Sequence, residues 1–426
     1  MLTTLVILFV VGYLAIALEH PIKVNKTATA LITGILCWTV YVLGTDHHDH
    51  VVGELSHHLA GVAEILFFLM GAMTIVELID AHQGFKIITD RIQTRNVTVL
   101  LWLISLITFF LSAALDNLTT AIVMVSLLRK LIKDTEMRKF FAGIVIIAAN
   151  AGGAWSPIGD VTTTMLWIGG QITALNIMEE LFIPSLLSLV IPLLYLSFRL
   201  KGTIQPPAKS SNDTQDTTAL ERNLMFFFGI GGLLFVPVFK TITHLPPYMG
   251  ILLSLGVVWL LSEILHKDKD EEERKPYTAA HALSRIDTSS ILFFLGILIA
   301  IGALESTHLL ADLAHWMDQT IGNQDIIVVT IGLASAVIDN VPLVAATMGM
   351  YPIDTFPADS KLWEFLAYCA GTGGSILIIG SAAGVAVMGM EKIDFIWYLR
   401  RISFTALLGY FAGVLAYLVI FALLKS

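Results

Sequence analysis

Apolar runs long enough to cross a lipid bilayer recur from one end of the chain to the other. A membrane-spanning helix needs about 20 mostly apolar residues, and lipid offers backbone groups no partners outside a helix or a closed barrel. The pattern therefore predicts a bundle of membrane helices. The runs cover residues 2–18, 27–44, 60–79, 181–198, 224–239, 248–265, 289–304 and 402–424.

The composition agrees with this interpretation. Only 14% of the 426 residues are charged and the mean hydropathy is +0.79, whereas a soluble domain carries about 25% charged residues. The two cysteines indicate no disulfide framework and no thiolate metal site. The net charge of −9 says little about partners, because most of the charge lies in short loops, and we expect no nucleic-acid partner. We expect an integral protein of a bacterial inner membrane, in contact with lipid.

The second half of the chain repeats motifs of the first. The pairs are EILFFLMGAMTIVELID (64–80) with SILFFLGILIAIGALES (290–306), SAALDNL (112–118) with SAVIDNV (335–341), and NAGGAWSPIGD (150–160) with GTGGSILIIGS (371–381). These repeats predict a duplicated unit, first over 1–200 and again over 223–426. The polar, Pro-, Ser- and Thr-rich stretch between them, 201–222, is predicted to be a cytoplasmic linker.

Each half also carries an Asp-Asn pair between two short apolar arms. The arms are about 19 and 12 residues long around Asp116, and about 14 and 10 around Asp339. At 1.5 Å per residue the shorter arms reach about 15–18 Å, half a bilayer. We therefore expect a re-entrant hairpin in each half, with the Asp-Asn pair at its tip. Glycines and a proline predict a broken helix after each hairpin, over 140–170 and 362–390.

A hairpin that does not cross leaves five crossings in each half, so the second half must be inverted relative to the first. With the N-terminus outside, every lysine and arginine except Lys240, Lys361 and Lys425 falls on the cytoplasmic side, as the positive-inside rule requires. The predicted fold is an all-α polytopic membrane protein of two inverted-topology repeats. Each repeat has about five crossing helices, one re-entrant hairpin and one broken helix, and both termini lie outside.

Three aspartates, Asp116, Asp160 and Asp339, are predicted to lie inside the membrane. A charge at the bilayer centre costs roughly 2.5–3.5 kcal/mol on insertion scales, and such residues usually have a function. They could instead cap the helices that follow them, since Asp is a favoured N-cap. Thr162 and Thr163 follow Asp160 and supply further oxygens, whereas the second half has Ser381 at the place of Asp160.

Five neutral residues complete the candidate site, and each could ligate an ion or satisfy backbone groups freed at a helix break. Carboxylate, amide and hydroxyl oxygens together suit an alkali cation or a proton. The basic residues lie in loops or at helix ends, so we expect none to clamp an anionic substrate. Na⁺ or Li⁺ is predicted to bind at Asp116, Asn117, Asp160 and Asp339. The five neutral residues are Asn117, Asn150, Asn340, Ser375 and Ser381.

A histidine-rich stretch, DHHDHVVGELSHH (46–58), is predicted to be a solvated loop on the outside. Imidazoles titrate near neutral pH, so a role in pH sensing and an adventitious metal site remain alternatives to a plain solvated loop. The histidines concerned are His47, His48, His50, His57 and His58.

The strings EILFFLMGAMTIVELIDAHQGF, ALDNLTTAIVM, NAGGAWSPIGDVTTTMLWIGG and SAVIDNVP resemble those of the NhaD-type sodium/proton antiporters of the ion transporter superfamily. The resemblance implies exchange of cytoplasmic Na⁺ or Li⁺ for external protons, without a cofactor, in a homodimer that works by an elevator-like movement. The polar site residues of that family match Asp116, Asn117, Asn150, Asp160, Thr162, Thr163, Asp339 and Ser375.

Two alternatives to a cation/proton antiporter remain open. The first is a sodium-coupled anion, dicarboxylate or arsenite carrier of the same superfamily, although that dicarboxylate branch has Ser-Asn-Thr at its hairpin tips. The second, more remote, is an intramembrane aspartyl protease, which would also have two buried aspartates. The protease alternative leaves the duplication unexplained, and we expect no enzyme.

Overall fold

The computed structural model describes residues 1–89, 92, 94–200, 202–204 and 217–424, apart from the side chains of Ala17, His20, Pro21, Thr89 and Leu424. Within these ranges the chain is all-α, as predicted, and its one β-bridge pairs Asn96 with Thr203. Eight of the described helices are long and apolar enough to cross a membrane.

The first half contains ten helices in its described part, and most are joined by short connections. They are α1 Leu2–Ala17, α2 Glu19–Ile22, α3 Lys26–Leu43, α4 His48–Ala81, α5 Lys86–Thr89, α6 Val97–Leu115, α7 Asn117–Leu131, α8 Thr135–Ala154, α9 Val161–Ile168 and α10 Ala174–Arg199.

The second half repeats this order, with extra short helices before the third long one. Its helices are α11 Ala219–Thr243, α12 Pro247–Leu265, α13 Glu271–Arg274, the 3₁₀ helix Lys275–Tyr277, α14 Ala279–Arg285, α15 Thr288–Ser306, α16 Leu309–Ile321, α17 Gln324–Ala334, α18 Asn340–Met350, α19 Lys361–Gly373, α20 Ala382–Glu391, α21 Phe395–Arg401 and α22 Ser403–Leu424.

The two Asp-Asn pairs lie where two helices meet end to end. Helix α6 has 19 residues and α7 has 15, whereas α17 and α18 have 11 each. Three of these four lengths fall short of the roughly 20 residues that a crossing helix needs. The breaks expected at both tips are present, and the re-entrant course through a bilayer remains a prediction.

Both broken helices are present, although their arms differ from the prediction. In the first half α8 has 20 residues instead of about 11, because it begins at Thr135, directly after its cap Asp134 and five residues before the predicted start at 140. Helix α9 has only 8 residues instead of about 11. In the second half α19 has 13 residues and α20 has 10.

Helix pairs that pack against each other have counterparts in which each helix is replaced by the equivalent helix of the other half. Helix α3 packs against α15 as α12 packs against α4, and α7 packs against α20 as α18 packs against α9. The helix pairs α6–α8 and α17–α19 correspond in the same way. This exchange is what a duplicated unit with a twofold relation would produce. The opposite orientation of the halves in the membrane stays a prediction.

A close approach between backbones holds each hairpin against its broken helix. A methyl group added to Gly152 would collide with the carbonyl oxygen of Phe109, and one added to Gly373 would collide with that of Gly332. Phe109 and Gly332 occupy equivalent places in the two halves. Only glycine therefore fits at these crossings of α6 with α8 and of α17 with α19.

We expect Gly152→Ala and Gly373→Ala each to lower the free energy of unfolding by about 1–3 kcal/mol, because backbone atoms must move apart to admit the methyl group. Gly256→Ala is the matched control, since an added methyl there meets nothing within 4 Å and Ala favours a helix over Gly by about 1 kcal/mol. Thermal unfolding in detergent measures the difference. Midpoints equal to that of the wild type for both crossing variants would contradict the close approach.

An ion cluster joins the two halves where α7 and α20 end and α8 begins. The carboxylate of Glu391, at the end of α20, accepts hydrogen bonds from Arg129 Nε and Arg138 Nε, both at 2.7 Å. Arg129 lies in the last turn of α7 and Arg138 in the first turn of α8, while the Glu391 side chain is only 1% exposed. The cluster therefore ties the first hairpin and the first broken helix to the second broken helix.

Two expectations need correction. The predicted loop over 46–58 is not a loop, because α4 begins at His48 and continues to Ala81 without a break. The predicted linker over 201–222 falls largely outside the described residues, and its last residues, 219–222, are the first turn of α11. Thr218 and Glu221 close that turn as a capping box.

Candidate ion-binding site

Four helix N-termini converge at the site, and each is capped by a predicted residue. Asp116 caps α7, Asp160 caps α9, Asp339 caps α18 and Ser381 caps α20. The N-terminus of a helix carries a partial positive charge that stabilises a nearby carboxylate by about 0.3–1 kcal/mol, and up to about 2 when it is partly buried. The short helices therefore offset part of the cost of keeping three acids at helix ends inside the protein, and capping by these acids is compatible with an additional role.

Asp160 lies at the centre of this arrangement and is 2% exposed. Its Oδ1 accepts hydrogen bonds from the backbone nitrogen and Oγ1 of Thr162, both at 2.9 Å. Its Oδ2 accepts one from Asn117 Nδ2 at 2.6 Å and a longer one from Asn340 Nδ2 at 3.5 Å. The carboxylate thus joins the first broken helix to both hairpin tips.

A chain of amides extends the network across the two halves. Asn117 Nδ2 also donates to Asn150 Oδ1 at 2.9 Å, and Asn150 Nδ2 donates to Ser381 Oγ at 3.1 Å. All three side chains are at most 4% exposed. The structure therefore brings together Asn117, Asn150, Asp160, Thr162, Asn340 and Ser381.

Asp116 contributes a second carboxylate to the candidate site. Thr119 donates to it from its backbone nitrogen and from Oγ1, both at 2.8 Å. Its backbone has φ 86° and ψ 158°, a region that only glycine adopts without strain. Asp116, Asp160 and Thr164 line a cavity of about 20 Å³ whose other lining residues are apolar, and about 10–15 Å³ suffices for one water-sized particle.

Asp339 faces a different environment from its counterpart Asp116. Its Oδ2 accepts a hydrogen bond from Lys26 Nζ at 3.2 Å, and its Oδ1 accepts one from the backbone nitrogen of Val341 at 3.3 Å. The expectation that no basic residue reaches the site is therefore wrong. Lys26 is the first residue of α3, as predicted for a helix end, but its long side chain extends to the second hairpin tip.

Two predicted residues lie at the edge of the network. Thr163 is fully buried, and its Oγ1 donates to the carbonyl oxygen of Asp160 at 3.0 Å. Ser375 Oγ donates to the carbonyl oxygen of Thr372 at 2.7 Å. Both hydroxyls satisfy backbone carbonyls at the breaks, which was the alternative to ligation.

The histidines face a separate cavity of about 1130 Å³. His50, His57 and His58 line it from the first turns of α4, and the far ends of α9 and α18 line it opposite, with Ile168 and Met348. His47 immediately precedes α4 without a capping hydrogen bond from its side chain, and His48 begins the helix. The cavity therefore reaches the ends of the two helices whose N-termini hold Asp160 and Asn340.

A smaller cavity of about 200 Å³ lies beside the first hairpin tip. Glu77, Asp80 and Asp287 line it together with Thr119 of α7 and with Arg285, whose Nε donates to Glu77 Oε1 at 2.6 Å. Met73 lines both this cavity and the small one that holds Asp116 and Asp160. Met73 is therefore a residue that the two cavities share in their lining.

The charge balance of the site favours a cation. In the described part of the chain, no lysine or arginine nitrogen lies within 4.0 Å of the carboxylates of Asp116 or Asp160. Hydrogen bonds from neutral donors satisfy these oxygens but leave their negative charge in place. Two such carboxylates on one small cavity can hold an alkali cation or protons.

Comparison with known proteins supports this assignment of class. The sequence profile of the CitMHS family, described as citrate transporter, matches residues 13–363. The chain is 52% identical over 97% of its length to sodium/proton antiporter 1 of Arabidopsis thaliana, 72% of which is covered. It is 30% identical over 97% of its length to the Na⁺/H⁺ antiporter NhaD of Vibrio cholerae, 91% of which is covered.

The chain belongs to the NhaD-type antiporter branch of the CitMHS family. The resemblance predicted from its motifs is confirmed. Among solved structures, the YdaH transporter of Alcanivorax borkumensis superposes with a TM-score of 0.57 at 11% identity over 90% of each chain. With these relatives and eight apolar helices, this NhaD-type chain is an integral membrane protein of a transporter family.

Proposed function

We propose that the chain exchanges Na⁺ or Li⁺ from the cytoplasm for protons from outside, through competition at Asp116 and Asp160. The observation that carries this proposal is the cavity of about 20 Å³ that both carboxylates line. A cation and protons cannot occupy the same carboxylate oxygens at once. The loaded site therefore holds one or the other, and the gradient of each ion drives the other.

The two larger cavities supply the access that such exchange needs. We assign the cavity beside Glu77 and Asp80 to the cytoplasmic side and the histidine-lined cavity to the outside, because this follows the predicted placement of lysines and arginines. The outer histidines then lie where protons arrive, which suits a role in pH sensing. Arg285 pairs with Glu77 at the cytoplasmic cavity, and the remaining acids, Asp80 and Asp287, would raise the local concentration of cations.

The movement that alternates access is proposed to be elevator-like. The two hairpins and two broken helices, α6–α9 and α17–α20, are joined by the amide network and the Glu391 cluster. They would move as one unit against α3, α4, α12 and α15. A homodimer, with both termini outside, is part of the same proposal. A bacterial inner membrane remains a prediction, and the two Arabidopsis relatives, at 52% and 50% identity, make a plant membrane an equal candidate.

The description of the matched family as a citrate transporter favours one alternative, a sodium-coupled carrier of anions. Against it, both hairpin tips carry an acid, which repels a carboxylate substrate. The charge of Asp339 is balanced by Lys26, but the charges of Asp116 and Asp160 have no such partner among the residues described. We therefore propose the cation exchanger.

The test uses the purified chain in proteoliposomes that are loaded with acid and contain a pH-sensitive dye. Adding Na⁺ or Li⁺ outside is expected to make the lumen more alkaline, because each entering cation releases protons. K⁺ serves as the control cation and citrate with K⁺ as the control anion. No response to Na⁺ or Li⁺, with uptake of radioactive citrate that depends on Na⁺, would instead establish the anion carrier.

A further inference from the structure

The two hairpin tips have the same Asp-Asn sequence, but a basic side chain lies beside only one of the two aspartates. At the second tip, Lys26 Nζ lies 3.2 Å from Asp339 Oδ2, and the side chains are 20% and 13% exposed. The ammonium also lies 4.4 Å from the ring centroid of Phe293 on α15. The lysine is therefore held in place by a carboxylate and by an aromatic face.

The first tip has no equivalent of this lysine. The helix that corresponds to α3 is α12, whose start is Pro246-Pro247, and proline offers no cation. The hydrogen bonds to the Asp116 carboxylate come from Thr119, within the same hairpin. The duplicated architecture thus carries a fixed positive charge at one tip only.

We propose that Lys26 is a tethered cation that occupies the place of a transported ion at the second tip, so that the chain binds a single Na⁺, at Asp116 and Asp160. This inference rests on the proposed function. An ammonium and Na⁺ carry the same charge and are both attracted by a carboxylate. A Na⁺ ion at Asp339 would have to displace the ammonium and leave it without its partner.

The surroundings of the pair fit this assignment. Tyr13, Glu19, Lys26 and Asp339 line a cavity of about 50 Å³, which is larger than the cavity between Asp116 and Asp160. Space and carboxylate oxygens are therefore available at the second tip, and the charge of Lys26 is what sets it apart. Removing that charge should create a second cation site.

The test is the number of Na⁺ ions bound per full-length chain, measured by equilibrium dialysis with radioactive sodium at alkaline pH. We expect one for the wild type, two for Lys26→Met, and one for Lys26→Arg, which keeps the charge. The double variant Lys26→Met/Asp339→Asn should return to one, because the carboxylate that created the second site is gone.

Two bound Na⁺ ions in the wild type, or one in a folded Lys26→Met variant, would overturn the role of Lys26. The wild-type count decides the question even if Lys26→Met fails to fold. Exchange in proteoliposomes separates this result from the proposed function. A wild type that exchanges Na⁺ for protons while binding two ions rejects only the role of Lys26, whereas a wild type that neither binds Na⁺ nor exchanges rejects the proposed function itself.

Discussion

Asp160→Asn and Asp116→Asn are expected to reduce sodium-driven proton movement to the level of protein-free vesicles. An amide oxygen still accepts the backbone hydrogen bond of Thr162 or Thr119, so the cap on α9 or α7 is kept. At Asp160 the amide nitrogen replaces the oxygen that accepts from Asn117 Nδ2, so that hydrogen bond is lost in the variant. An amide neither titrates nor carries charge, so it can hold neither the proton nor the counter-charge for Na⁺. The dye assay in acid-loaded proteoliposomes measures the loss.

Asp359→Asn provides a matched control for both variants. The Asp359 carboxylate accepts hydrogen bonds from the backbone nitrogen and Oγ1 of Thr173, at 2.7 and 2.8 Å, which is the pattern seen at Asp160 and Asp116. It lies in an exposed connection away from the site. The control should therefore exchange as the wild type does. If Asp160→Asn at normal expression also did so, the carboxylate would be only a cap.

The second large effect is expected at the Glu391 cluster. The double variant Arg129→Met/Arg138→Met should lower the free energy of unfolding by about 3–5 kcal/mol, because it leaves a buried carboxylate without a counter-charge. Each single variant should cost less, since the other arginine remains. Thermal unfolding in detergent measures the order of the variants.

Adding Glu391→Met to the double arginine variant should recover most of the loss, because the uncompensated charge is then gone. Lys139→Met is the control, since its ion pair with the 65% exposed Glu136 should contribute little. A double arginine variant that unfolds at the wild-type temperature would show that Glu391 has found other partners or water.

The sequence alone predicted the helical class, the order of the long helices and the two Asp-Asn breaks. These follow from local properties, because apolar length, glycine and proline act on their own segment. The resemblance carried by the motifs also predicted the family. The network of Asn117, Asn150 and Asp160 was assembled in outline from the duplicated motifs.

Lys26 was missed because nothing near residue 26 indicates a partner 313 residues away. A lysine at a helix start is ordinary, and only the three-dimensional arrangement brings the second hairpin tip within reach of its long side chain. The histidine stretch was misassigned for the opposite reason. Its polarity resembles that of a loop, but it continues the apolar helix that follows, and propensity alone does not mark the boundary.

Some polar side chains of the first half have hydrogen-bond partners in the second half, and these partners are synthesised later. Asp160 receives the hydrogen bond of Asn340 only after 180 further residues have been made, which at roughly 5–20 residues per second takes about 9–36 s. The amide of Asn150 must wait still longer for Ser381. During this interval the Asp160 carboxylate and the Asn150 amide of the nascent first half each lack one partner, so insertion of the second half completes the polar core as well as the bundle.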